Sequence, residues 1–159
     1  MDQTWKIRAA ELADVPMIGR IWHDSWQAGH AEHDPEIASH RDLPYFMARA
    51  GTNVARTLVG VWEGRIWGFT AWEGNGVAQV FVAPSNFRKG LGTALLAAVE
   101  LVLKEQGHHT IWLHCLEGNV RARSLYEKHG WQVAKIIEDQ IGSHIGFKPV
   151  RSWHMEKRL

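Results

Sequence analysis

The chain has 159 residues, with 18 Lys and Arg against 17 Asp and Glu, a formal charge of +1. That length suits one domain over 1–159 with a single sizeable core. The near-neutral balance argues against a basic nucleic-acid surface or an acidic tail, and 45% hydrophobic with 22% charged residues argues against wholesale disorder. Cys115 is the only cysteine, so an intramolecular disulfide and a Cys-based zinc site are excluded; the scattered histidines give no ligand spacing, and no metal is expected. The opening MDQTWKIRAAELADV has no apolar signal core, and the most apolar stretch, 91–103, falls short of the roughly 20 residues of a membrane span. A cytoplasmic protein with neither nucleic acid nor membrane as partner is expected.

In chain order, 5–8 reads as a first strand. Asp14 stands where it can cap a helix with Pro16 in the first turn, and Val15, Ile18, Ile21, Trp22 and Trp26 recur at roughly helical spacing until Gly29. Asp34-Pro35 is a break, and 37–50 reads as a second helix that Pro44 interrupts. Strands 57–62 and 65–72 flank the turn Glu63-Gly64. Gly74-Asn75-Gly76 is the next turn, and strand 77–82 stops at Pro84. A broadly apolar helix over 92–106 ends at Gly107. Strand 110–116, a helix over 119–129 closed by Gly130, and strands 131–137 and 150–156 complete the chain. The order is α+β: a mixed sheet with helices on its faces, not a regular βαβ repeat.

Chemistry concentrates in two stretches. The first, VFVAPSNFRKGLGTALL over 80–96, is a strand, a short loop and a helix start. Gly90 and Gly92 lack a Cβ, so a ligand can approach the backbone there. First-turn N–H groups have no intrahelical partner and, with the helix dipole, attract an anion. Arg88 and Lys89 add positive charge. The segment reads as a pyrophosphate cradle or, more plainly, as a helix start with solvated basic residues. It is neither a Walker A loop nor a full Rossmann fingerprint, since Leu95 stands where the third small residue belongs. The second stretch, NVRARSLYEKHGW over 119–131, sets Asn119 as a helix cap with Ala122, Leu125 and Tyr126 on its face. Tyr126 is either a buried aromatic or a phenol that protonates a leaving group.

Together these stretches resemble the GNAT superfamily of N-acetyltransferases. The family pairs a strand ending in V-x-P and an Arg/Gln-x-x-Gly-x-Gly/Ala loop with a later Asn-x-x-Ala-x-x-x-Tyr-x-x-x-Gly-Phe helix. Here these read Val82-Ala83-Pro84, Gly90-Leu91-Gly92, and Asn119, Ala122, Tyr126, Gly130 and Trp131. The resemblance implies a mixed, mostly antiparallel sheet of about seven strands, split into a V, with four helices on its faces. It implies acetyl-CoA as co-substrate, lying in the split between the strand ending at Val82 and strand 110–116. The backbone of Phe81 and Val82 would pair with the pantetheine arm. Arg88, Lys89, Gly90, Leu91, Gly92 and Thr93 would hold the pyrophosphate, Asn119 the arm, and Tyr126 would protonate the thiolate. One position departs from the family: Phe87 stands where Arg or Gln is usual.

Direct attack by a neutral amine needs a base. Family members often place a carboxylate on the strand before the loop, but 77–82 has none, and Gln79 can only hold a water. Glu73 is the first candidate base and His114 the second. Cys115 reads as a buried thiol. Family geometry further implies that Trp26, Tyr45 and Trp72 line an acceptor pocket suited to an apolar or cationic amine. The segment IWHDSWQAGH resembles a helix pattern of small-molecule acetyltransferases. A small-molecule primary amine is therefore the expected acceptor, ahead of a protein N-terminus or lysine. A non-catalytic acyl-CoA sensor is the alternative of another class, and a homodimer is left open.

Overall fold

The computed structural model describes residues 4–32 and 34–159. Seven strands form one sheet: β1 (Lys6–Ala9), β2 (Thr57–Trp62), β3 (Arg65–Glu73), β4 (Gly76–Val82), β5 (Thr110–Leu116), β6 (Gln132–Ser143) and β7 (Gly146–Arg158). Their spatial order is β1-β2-β3-β4-β5-β7-β6. Every neighbouring pair is antiparallel except β4 and β5, which are parallel and register only at Gly76 and Trp112. Asn75 ties that closed end. Its carbonyl accepts from Trp112 N–H at 3.3 Å, its Nδ2 donates to the Thr110 carbonyl at 3.0 Å, and its Oδ1 accepts from Trp112 Nε1 at 3.0 Å. Beyond this knot β4 and β5 part, which is the split the resemblance implies.

The helices are α1 (Val15–His30), α2 (Pro35–Ser39), α3 (Leu43–Asn53), α4 (Leu91–Glu105) and α5 (Val120–Lys128). The single helix expected over 37–50 is two. Pro44 lies in the first turn of α3, where a missing N–H costs nothing, so it begins a helix rather than interrupting one. Asp34 caps α2 by accepting from Ile37 N–H at 3.1 Å, and Asp42 caps α3 by accepting from Tyr45 N–H at 3.0 Å. Asp14 precedes α1 without capping it. Its carboxylate turns back to Arg8 at 2.7 Å and to Glu11 N–H at 2.8 Å.

Strand alternation divides the core. Val59 and Phe69 meet Ile18, Ile21, Trp22 and Phe46 on one face, where Trp22 lies 5.5 Å from each of Phe46 and Phe69. On the other face Leu96, Val99 and Leu103 of α4 pack with Leu113, Trp131 and Met155. Each such buried side chain stabilises the fold by about 1.5–3 kcal/mol.

The last two strands are far longer than the expected 131–137 and 150–156. They form one hairpin whose tip crosses to the α2–α3 corner. There Lys148 pairs with Asp34, His144 Nε2 lies 2.6 Å from Asp42 Oδ1, and His144 N–H donates to the His40 carbonyl at 3.1 Å.

Candidate active site

The first cavity, about 260 Å³, follows the split from β4 to the start of α4. Gly90 stands before α4 with φ +86°, a left-handed turn that glycine adopts without strain, and the space where a Cβ would project is open. No side chain caps α4, unlike α2, α3 and α5, so its first-turn N–H groups face the cavity mouth. An uncapped helix start behind an open glycine turn fits the diphosphate of acetyl-CoA.

The loop residues divide in role. Arg88 lines the cavity, its own φ at +64°. Lys89 does not line it, and its carbonyl accepts from Trp5 Nε1 at 3.1 Å. The Leu91 side chain is fully buried against Gly60 and Gly68, leaving only its backbone for a ligand. Gly92 lines the cavity and also makes room for α5: a Cβ there would lie 3.1 Å from Leu125 Cδ2. Thr93 lines it with Oγ1 3.0 Å from His129 Nε2.

Phe87, at the family's Arg/Gln position, carries a guanidinium on its face. Arg121 of α5 lies 3.7 Å from its ring centroid and lines the same cavity. Burial, then the neighbouring Arg88, lowers the Arg121 pKa. The sequence reading missed Arg121, because only the fold brings α5 to the loop.

β4 offers its free edge to the split. Ala83 N–H donates to the Trp67 carbonyl of β3 at 2.7 Å. Alternation then turns Val82 and Val80 toward the split and Phe81 toward β3. The expected pairing backbone is thus corrected from Phe81 and Val82 to Val80 and Val82, while the Phe81 ring lines the cavity wall.

The second cavity, about 450 Å³, adjoins the first, and both are lined by His30, Val80, Phe81, Asn119, Ala122 and Tyr126. Asn119 caps α5, its Oδ1 accepting from Ala122 N–H at 3.2 Å. Tyr126 is 8% exposed, and its hydroxyl has no hydrogen-bond partner among the described residues. Burial pushes its pKa well above the usual phenol range, so it stays protonated at neutral pH. Cys115 also lines this cavity. Burial raises its thiol to about 12, and its Sγ lies 3.7 Å from the Asn119 carbonyl, so it stays protonated.

His114 lines the second cavity beside Asp139. Its Nδ1 is 3.2 Å from Asp139 Oδ2 and its Nε2 is 3.0 Å from His154 Nδ1. His154 Nε2 in turn lies 3.0 Å from Glu156 Oε1, so a hydrogen-bonded chain runs from the cavity to an exposed carboxylate. Burial lowers the His114 pKa; Asp139 opposes this, and His154 and Lys135 add to it. Glu73 lines the same cavity but is exposed at the closed end of the V, in register with Gly76.

Of the three aromatics expected in the acceptor pocket, Trp26 lines it and the other two do not. Trp72 alternates with Ala71 and faces the α4 side of the sheet. Tyr45 sits behind the wall, against Phe46 and His144. The Trp26 face, expected to attract an apolar or cationic amine, already carries side chains, as does the face of the neighbouring Trp22. Trp26 stacks with His30 at 5.0 Å and with Arg41 at 4.5 Å, and Trp22 with Arg49 at 4.7 Å.

Among the described residues no cluster of His, Cys, Asp and Glu could hold a metal, and no helix is long and apolar enough to cross a membrane. A sequence profile of the acetyltransferase (GNAT) family matches residues 15–131. The peptidyl-lysine N-acetyltransferase YiaC of Escherichia coli K12 is 30% identical over 130 residues, covering 80% of this chain and 83% of that protein. A GCN5-related N-acetyltransferase of Rhodopseudomonas palustris superposes with a TM-score of 0.79 at 19% identity, covering 100% of this chain and 98% of that one. PaiA N-acetyltransferase of Thermoplasma acidophilum, solved with coenzyme A, superposes with a TM-score of 0.69 at 20% identity, covering 98% and 99%. With its split sheet and its uncapped α4, the chain belongs to the GNAT family of acetyltransferases, with acetyl-CoA as co-substrate.

Proposed function

We propose that the protein transfers the acetyl group of acetyl-CoA to a primary amine of a small molecule by direct attack. The observation that carries this reading is the second cavity. It meets the cofactor cleft at Tyr126, and the β6–β7 hairpin, its tip clamped to the α2–α3 corner, contributes Asp139, Gln140, Ile141, Val150 and Ser152 to its wall. Its volume of about 450 Å³ lies in the range of small-ligand sites, ~300–1,000 Å³.

The thioester supplies an activated acetyl carbon. The first turn of α4, with Arg88 and Arg121, holds the diphosphate, and the Val80 and Val82 N–H groups hold the arm and polarise the acetyl carbonyl. His114 donates its Nδ1–H to Asp139, and its Nε2 takes the proton of the attacking amine once that nitrogen gives up its contact with His154. His114 replaces Glu73 as the preferred base because Asp139 orients its ring. Once the C–N bond forms and the C–S bond breaks, Tyr126 gives its proton to the departing thiolate. The protonated Cys115 supports the absence of an acyl-enzyme step.

The 30% identity to a peptidyl-lysine acetyltransferase favours a second reading, a protein lysine as acceptor. The test is thiol release from acetyl-CoA against small primary amines and lysine peptides in parallel. Release with small amines alone supports the first reading. Release with peptides alone replaces it with the second. No release with any amine leaves a non-catalytic acyl-CoA sensor.

A further inference from the structure

The second cavity contains two arginines that no motif accounts for. Arg41, at the α2–α3 corner, is 3% exposed and lines the cavity, and its Nε is buried without a hydrogen-bond partner. Its guanidinium is packed among rings, 4.5 Å from Trp26, 5.3 Å from Tyr45 and 4.8 Å from Phe46. Arg49 of α3 lines the same cavity, held 4.7 Å from Trp22 and 5.7 Å from Tyr45. Among the described residues neither arginine has an ion-pair partner. The carboxylates that line this cavity, Glu73 and Asp139, come from the sheet, and neither pairs with an arginine.

Burying one guanidinium beside another without a counter-ion is unfavourable. The cost is visible in Arg41, whose pKa burial and Arg49 together lower to about 10. Aromatic faces offset part of it and fix both guanidinium planes, but beyond the Tyr45 hydroxyl they supply no hydrogen-bond acceptor. A planar cation preset in this way is matched to a carboxylate or a phosphate.

We propose that the acceptor amine carries an anionic group, a carboxylate or a phosphate, which Arg41 and Arg49 bind while the amine lies toward His114. This rests on the small-molecule reading above and names its substrate class. It also replaces the expectation of an apolar or cationic acceptor, since Arg41 and Arg49 occupy the Trp26 and Trp22 faces. Bridging the two guanidiniums removes their mutual repulsion and directs the uncharged end of the amine to the base.

The test compares matched acceptors with acetyl-CoA at saturation. One arm sets the ω-amino acids from glycine to 6-aminohexanoate against alkylamines of the same length. The other sets O-phosphoethanolamine against ethanolamine, which separates carboxylate from phosphate. The expected result is a kcat/KM for at least one anionic acceptor about ten- to a hundredfold above its neutral match, the worth of one charged hydrogen-bonded contact. Arg49→Gln, at a half-buried position, should erase that ratio through KM, and Arg49→Lys should restore it in part. Pentanoate, which has the anion but no amine, should compete with the acceptor in the native protein and not in Arg49→Gln. Equal ratios in native and Arg49→Gln protein, or neutral amines preferred throughout, overturn the proposal. Turnover of a lysine peptide and of no small amine has a different signature and overturns the small-molecule reading itself.

Discussion

Tyr126 and His114 face the same cavity with opposite protonation tendencies. Burial raises the Tyr126 pKa, and partial desolvation lowers that of His114. In the proposed mechanism Tyr126 is the acid and His114 the base. Tyr126→Phe preserves the ring packed on Trp131 and removes only the proton. Turnover should fall ~10²–10⁴-fold with acetyl-CoA affinity little changed, as single-turnover kinetics and calorimetry would show. Native turnover in that variant would return Tyr126 to a packing role. His114→Gln should lower turnover at pH 7 by about 10²-fold and recover partly at high pH, where the amine deprotonates unaided. In the native protein the acid limb of kcat should lie below the ~6.5 of a free imidazole, because the groups around His114 lower its pKa on balance. An unchanged pH profile in His114→Gln would move the base elsewhere, Glu73 first.

Two elements position these residues, and each gives a prediction. The start of α4 has no side-chain cap and lies beside α5 at Gly92. Gly92→Glu brings a Cβ to about 3.1 Å from Leu125 and a negative charge to the diphosphate end of the cleft. Acetyl-CoA affinity should fall by several kcal/mol, at ~1.5–3 for each charge-assisted hydrogen bond to the diphosphate that is broken. Unchanged calorimetric affinity in a folded variant would remove the cradle. The β6–β7 hairpin is the second element. Its tip is held to the α2–α3 corner by polar contacts on exposed residues, which contribute little to stability. Asp42→Asn combined with Lys148→Gln should therefore leave the melting temperature nearly unchanged. It should raise the acceptor KM, because the wall of the cavity is loosened. A large drop in melting temperature would show the clamp to be part of the core instead.

At the scale of the molecule, acid should destabilise the fold in two windows. The His114 pKa is lowered in the folded chain, so below ~6.5 the unfolded chain takes up a proton that the folded one does not. Stability falls as pH drops from that value. Asp14, held down first by Arg8, and Asp34, held down first by Lys148, have lowered carboxyl pKa values. Their contribution is present above the ordinary carboxylate value of ~3.9 and is lost as pH falls below it. Thermal melts from pH 8 to pH 3 should show both steps, and His114→Gln should flatten the first. What the sequence determined by itself was local. Turns at Glu63-Gly64 and Gly74 to Gly76, the apolar face of α4 and the Asn119 cap depend on neighbours a few residues away, and so did the paired motifs that identify the family. The tertiary structure alone decided what depends on distant segments meeting. The hairpin beyond Ile137 mixes polar residues with the exposed Ile145 and Phe147, so no hydrophobic period announced it; the pairing of β6 with β7 carries it out to the α2–α3 corner. Strand alternation, fixed by the sheet register, turned Trp72 away from the cavity and Val80 toward the split. Arg121 reached Phe87, His114 reached Asp139 and His154, and Arg41 and Arg49 came to face His114 across one cavity, by packing elements far apart in sequence. Residue type and spacing carry the helices, turns and backbone cradle, but the electrostatics of a cavity belongs to the side chains that the fold alone assembles.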